Sequence, residues 1–178
     1  MRTKTLAIML SVAASLAVGA GMTLAQQDRY TLTVPDGGLA FSEFRGYDTW
    51  ETVAVSETEG SVKAILGNPA MIAAYKDGVP DNGKLFPEGV KTVKIEWVKK
   101  KNPVSPYFVE IPDTLKTVSF IEKDSKRFPN THGWAYAQFA YDPEAKTFKA
   151  DVTGAACGYE CHSKVASRDY IFTAYPPR

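Results

Sequence analysis

Two thiols and an imidazole lie within six residues near the C-terminal end: Cys157, Gly158, Tyr159, Glu160, Cys161, His162. The chain has two cysteines and two histidines in all, so this run holds both thiols and half of its imidazoles. Two thiols can add to the two vinyl groups of a haem while a histidine beside the second thiol ligates the iron, which is c-type attachment chemistry. The usual spacing leaves two residues between the cysteines, and this sequence has three. Cys161 and His162 keep their ordinary adjacency, so one thioether and the iron bond are expected undisturbed. Cys157 must reach across one extra residue, for which flexible Gly158 offers slack. Two other chemistries use the same groups. A disulfide between Cys157 and Cys161 would close a tiny loop and constrain little of the unfolded chain. A zinc site would need a fourth ligand, and the other histidine, His132, lies in the turn-like run Asn130, Thr131, His132, Gly133. With His132 read as a surface residue and Met71 as helix core, no second axial ligand is evident. A five-coordinate haem with one open face is therefore expected, which suits ligand binding or catalysis better than plain electron transfer.

The elements that must position these residues read as short strands with a few helices. Residues 30–34 read as a short strand ended by a turn at Pro35, Asp36, Gly37 and Gly38, and residues 41–47 as a short helix with Phe41 and Phe44 on one side. Strands are predicted over 50–55 and 62–66, with a polar turn around 57–60. Asn68 is a good helix cap and Pro69 suits the first helical position, so a helix runs from there through Tyr75 until Gly78 and Pro80 stop it. Residues 77–89 and 102–112 are rich in Gly or Pro and read as loops. The clearest strand is 91–99, with Val93, Ile95 and Trp97 on one face and Thr92, Lys94, Glu96 and Val98 on the other. Further strands are expected over 116–122, 134–141 and 147–152, while 169–175 reads as strand or irregular. The sum is an α+β design: a mainly antiparallel sheet with two or three short helices packed on it.

Composition agrees with an exported protein. Arg2 and Lys4 precede an apolar run over 6–18, too short for a comfortable membrane span, and small residues lead to an expected cleavage after Ala25. Residues 1–25 are thus read as a signal peptide and 26–178 as a single haem domain, with an uncleaved anchor as the alternative. Without the leader, nineteen Lys and Arg face twenty Asp and Glu, a formal net charge of −1, which gives no support for nucleic-acid binding. The run Lys99, Lys100, Lys101 reads as a solvated strand end, with a docking patch for a redox partner as the minority reading.

Three stretches make the chain similar to the cytochrome P-460 family, which includes the cytochromes c′-beta: FPEGVKTVKIEW at 86–97, KDSKRFPNTHGWAYAQF at 123–139 and CGYECHSKVASRDYIFT at 157–173. The resemblance implies a periplasmic, largely antiparallel β protein, usually a homodimer, with one covalent five-coordinate haem c. In the hydroxylamine-oxidising members a strand lysine is bonded to the porphyrin, and the matching position is Lys94. In the c′-beta members that bond is absent and the haem binds nitric oxide or similar gases in an apolar pocket. The resemblance therefore implies hydroxylamine oxidation with electrons passed to a cytochrome partner, or else gas binding. From the strand pattern alone, Lys94 and Glu96 read as lining a solvated sheet face, and only the resemblance turns Lys94 toward the haem. Two departures count against the enzyme: Lys63 stands where the oxidisers have an arginine, and their distal carboxylate has no clear match, with Glu96 and Glu160 as candidates by proximity. Phe41, Phe44, Phe86 and Phe120 read as core by default, with a place in the wall of the open haem face as the minority reading. Trp134 and Tyr136 read as core or dimer-contact residues, and Arg127 as a candidate anchor for a haem propionate.

Overall fold

The computed structural model describes residues 27–35 and 38–178. The expected signal peptide, its expected cleavage after Ala25 and the Asp36 and Gly37 part of the first turn lie outside the described residues. Six antiparallel strands form one sheet in sequence order: β1 (Glu51–Thr58), β2 (Ser61–Gly67), β3 (Lys91–Lys101), β4 (Glu110–Lys123), β5 (Trp134–Asp142) and β6 (Thr147–Ala150). Helix α1 (Pro69–Lys76) follows β2, and helix α2 (Gly154–His162) follows β6. This is the expected α+β architecture. Asn68 caps α1 by accepting from the Met71 N–H at 2.9 Å, and its side chain also receives the Lys91 N–H, tying the helix start to β3. Met71 is fully buried, as its place in the helix predicts.

Three local expectations change. Residues 30–34 do not form a strand, because Asp28 receives the Tyr30 N–H and winds Arg29–Thr31 into a 3₁₀ turn, leaving a single bridge between Thr33 and Ala40. The expected helix over 41–47 is two 3₁₀ turns, Phe41–Phe44 and Tyr47–Thr49, which still place Phe41 and Phe44 on one side because residues three apart eclipse. β4 begins at Glu110 and so includes Pro112. That stretch pairs with β3 alone, since β5 joins only from Thr117, and proline is tolerated on such an edge.

The sheet divides the molecule into two apolar layers. Leu66, Val93, Phe120 and Ala137 share one rung of the register and point to one face. There they pack with Phe41, Phe44 and Phe139, which the N-terminal segment and β5 supply. Phe44 stacks on Phe120 at 4.1 Å between ring centres, and Phe41 meets the same ring edge-on at 4.9 Å. The opposite face carries Ile65, Ile121, Tyr136 and Trp134 and is covered by α1 and α2. Cys157, Cys161 and His162 belong to that second side.

This partition decides two readings that the sequence left open. The rings of Phe41, Phe44 and Phe120 pack together in the core on the far side of the sheet from the cysteines, although Phe120 also borders the cavity, and Phe86 packs against Trp134 and Tyr75. Arg127 is spent on Glu43 at 2.6 Å and lies 3.8 Å from Glu122, on the Phe120 side, and so does not reach a propionate on the other face. Phe120→Ala is expected to cost about 3–5 kcal/mol in urea unfolding.

Candidate functional site

Helix α2 lies directly on β5 because two glycines let it. Gly154 and Gly158 are four residues apart and so face the same way. A Cβ on Gly158 would sit 2.6 Å from Tyr136 Cβ, and one on Gly154 would sit 3.0 Å from Gln138 Cβ. Gly158 is therefore a point of backbone contact inside a helix and not the slack in a loop that the sequence suggested. The third intervening residue is absorbed by the helical repeat: Cys157 and Cys161 are also four apart, which places their Cβ atoms roughly 5–6 Å from each other on one face. Both thiols are free, exposed and border the same cavity as His162. They form no disulfide, and no group of three or more metal-ligating side chains is found among the described residues.

That cavity has a volume of about 570 Å³ between α2, the sheet and the segment after the helix, within the roughly 300–1,000 Å³ typical of small-molecule and cofactor sites. A second cleft of about 590 Å³, beside Trp50 and Lys76, holds neither thiol nor imidazole. His162 ends α2 with its ring 4.8 Å from Tyr136 and edge-on to Phe172 at 4.9 Å. Its Nδ1 lies 2.5 Å from the Tyr170 carbonyl. A carbonyl can only accept, so Nδ1 carries the proton and Nε2 keeps a free lone pair. Burial holds this imidazole below its ordinary pKa despite that hydrogen bond, with Lys94 adding repulsion. The ring is thus kept neutral and in the tautomer that a metal ligand requires.

Lys94 points into the cavity, on the side of the sheet opposite Val93, as the strand alternation predicted. Among the described residues it makes no ion pair. Its pKa is lowered, chiefly by burial; Glu96 opposes the shift, and Lys63 and Lys116 reinforce it. On the same rung, Lys94 is flanked by Ile65 and Ser119, and Ser119 by Gln138. Ser119 Oγ donates to Gln138 Oε1 at 3.1 Å, and Gln138 Nε2 donates to Asp151 Oδ2 at 3.1 Å. The result is a polar row beside Lys94 in which Ser119, Gln138 and Asp151 are linked by hydrogen bonds. Thr153, through its hydroxyl and N–H, holds the Asp151 carboxyl below the usual range.

Of the other candidates, Lys63, Glu96, Glu160 and His132 do not join the cavity. Lys63 is half-buried and donates to Thr58 Oγ1 at 2.8 Å. Glu96 pairs with Lys116 at 3.1 Å, and Glu160 is exposed on α2 outside the cavity lining. His132 has φ 56° after the 3₁₀ turn Pro129–Thr131 and stacks on Tyr170, away from the thiols. Tyr136 lines the cavity wall. Sequence reasoning missed Asp151, Gln138 and Ser119, whose row depends on strand register. The run Lys99–Lys101 ends β3 with Lys99 bonded to Glu57 and Glu110 and Lys100 to Asp113, as expected of a strand end.

A family model described as Cytochrome P460 matches residues 44–173. The chain belongs to the Cytochrome P460 family. No curated protein sequence matches it. The matched span contains all six strands, both helices and every cavity residue named above, and membership makes the chain a haem-binding cytochrome. The residues fit that cofactor: two free thiols on one helix face, an imidazole with Nε2 unprotonated, and a cavity open beside them.

Two outcomes test this geometry. Alanine is the better helix former by about 1 kcal/mol, yet Gly158→Ala is expected to destabilise the protein by about 1–3 kcal/mol in urea unfolding, through overpacking against Tyr136. For Lys94 the folded pKa lies below the unfolded value, so the folded chain binds fewer protons between the two and its stability rises with pH across that window. In the haem-free Cys157→Ser, Cys161→Ser chain, Lys94→Met is expected to raise stability at pH 7 and to remove that rise, as read by urea midpoints from pH 7 to pH 10.5.

Proposed function

We propose that the chain holds one haem c through thioethers to Cys157 and Cys161, with His162 Nε2 as its protein ligand to iron, and that it oxidises hydroxylamine. The observation that carries the reading is the polar row Lys94, Ser119, Gln138 and Asp151 along the cavity wall. A small substrate with N–H and O–H donors finds acceptors there, whereas an apolar gas gains nothing from them. When bound, the haem supplies a one-electron redox centre and a Lewis-acidic iron position. The chain orients it, excludes bulk water with Ile65, Ile121 and Ile171, and presents Lys94, with its suppressed charge, to the porphyrin edge, where an N–C bond would replace one amine N–H and one ring C–H, with two electrons and two protons passing to a peroxide oxidant. Electrons leave to a cytochrome partner. In the same reading residues 1–25 direct export to the periplasm and are removed, and the protein works as a homodimer.

The denatured mature protein is expected to carry the mass of the chain plus one haem, and its reduced Soret band to be strongly red-shifted by the lysine bond. Lys94→Ala should abolish that shift and greatly lower the rate of hydroxylamine-dependent reduction of an added c-type cytochrome. An ordinary high-spin spectrum that changes with nitric oxide, with no hydroxylamine turnover, would establish the gas-binding alternative instead. A chain of haem-free mass, produced in a host able to attach haem c, would remove both readings.

A further inference from the structure

The segment after α2 contains two successive residues in the left-handed region, Asp169 at φ 49° and Tyr170 at φ 64°. Neither is glycine, so each is strained by its own Cβ and persists because its surroundings hold it. The grip is the Asp169 carboxylate. Oδ2 accepts from the Phe86 N–H at 2.7 Å and from Lys123 Nζ at 2.5 Å, and Oδ1 accepts from Trp134 Nε1 at 3.1 Å. These donors come from the loop before β3, the end of β4 and the start of β5. Asp169 and Lys123 are each 4% exposed. A charge pair buried to this degree is a weak source of stability once desolvation is counted, and its better-attested value is in fixing one arrangement. The arrangement fixed here has a specific output. The Asp169 and Tyr170 N–H groups close the preceding 3₁₀ turn onto Ala166 and Val165, and the Tyr170 carbonyl is aimed at His162 Nδ1.

We propose that Asp169 is a positioning residue for the iron ligand: anchored to the sheet by Lys123, Trp134 and Phe86, it locks the strained turn whose carbonyl sets the tautomer, orientation and basicity of His162. The inference rests on the reading that His162 ligates haem iron. A carbonyl on Nδ1–H makes Nε2 a stronger donor and so favours the ferric state. Loosening the turn must therefore favour the ferrous state, an effect that a purely structural ion pair would not produce.

The test uses holoprotein with attached haem. Lys123→Met combined with Asp169→Asn removes both buried charges together, so that no unpaired charge is left behind. Trp134→Phe removes one donor and leaves the ion pair intact, and it serves if the double variant does not fold. At the potential that half-reduces the unaltered protein, the double variant is expected to show a severalfold higher ferrous-to-ferric ratio at unchanged haem content. Trp134→Phe should show a smaller shift in the same direction. Haem-loaded variants whose ratio equals that of the unaltered protein would overturn the inference while leaving the functional reading standing. Failure of the unaltered protein to carry haem would overturn both, and would be visible before any variant is made.

Discussion

The hydrogen bond between His162 Nδ1 and the Tyr170 carbonyl decides what the imidazole can do, because it leaves one ring nitrogen protonated and the other bare. Much of the structure can be traced back from that contact. The carbonyl belongs to a turn that left-handed φ values would make improbable alone, and the turn is pinned by a carboxylate reaching three separate elements. The imidazole belongs to a helix whose distance from the sheet is set by the missing side chains of Gly154 and Gly158. Helix and turn approach the same strands from one side, and the cavity is the space between them.

The sheet separates stability from chemistry. One face is a dense aromatic layer in which Phe41, Phe44, Phe120 and Phe139 pack ring on ring. The other face carries the polar row and the cavity. Because side chains alternate along each strand, Val93 and Lys94 are chain neighbours with opposite duties. The desolvated amine of Lys94, which makes no ion pair among the described residues, is an unfavourable group on that face, and the aromatic layer beneath gives the sheet the stability to carry it.

Local patterns were enough for much of this. Asn68 and Pro69 marked the start of α1 through cap chemistry that acts within four residues, and the alternation over 91–99 correctly put Lys94 opposite Val93. The Cys157, Cys161, His162 run was legible as a unit because its members are adjacent in sequence as well as in space. What stayed hidden was long-range. Asp169 and Phe86 are 83 residues apart and Lys123 and Asp169 are 46 apart, so nothing near any of them announces the others. The phenylalanines were readable as apolar, but which face they cover depends on how the N-terminal segment folds back. Arg127 read as a free cation because Glu43, its partner, lies 84 residues away.

The helical form of the cysteine run also bears on how the protein matures. Along an extended chain, three intervening residues set the thiols one position farther apart than the usual motif does. Once α2 has settled on β5, the same thiols stand one turn apart on a single face, with a rise of about 6 Å between them. Docking of the helix, which depends on Gly154 and Gly158, thus converts an irregular linear spacing into a regular three-dimensional one. Attachment after docking would let the fold itself act as the ruler, making pigment yield a direct readout of how well that last helix has seated.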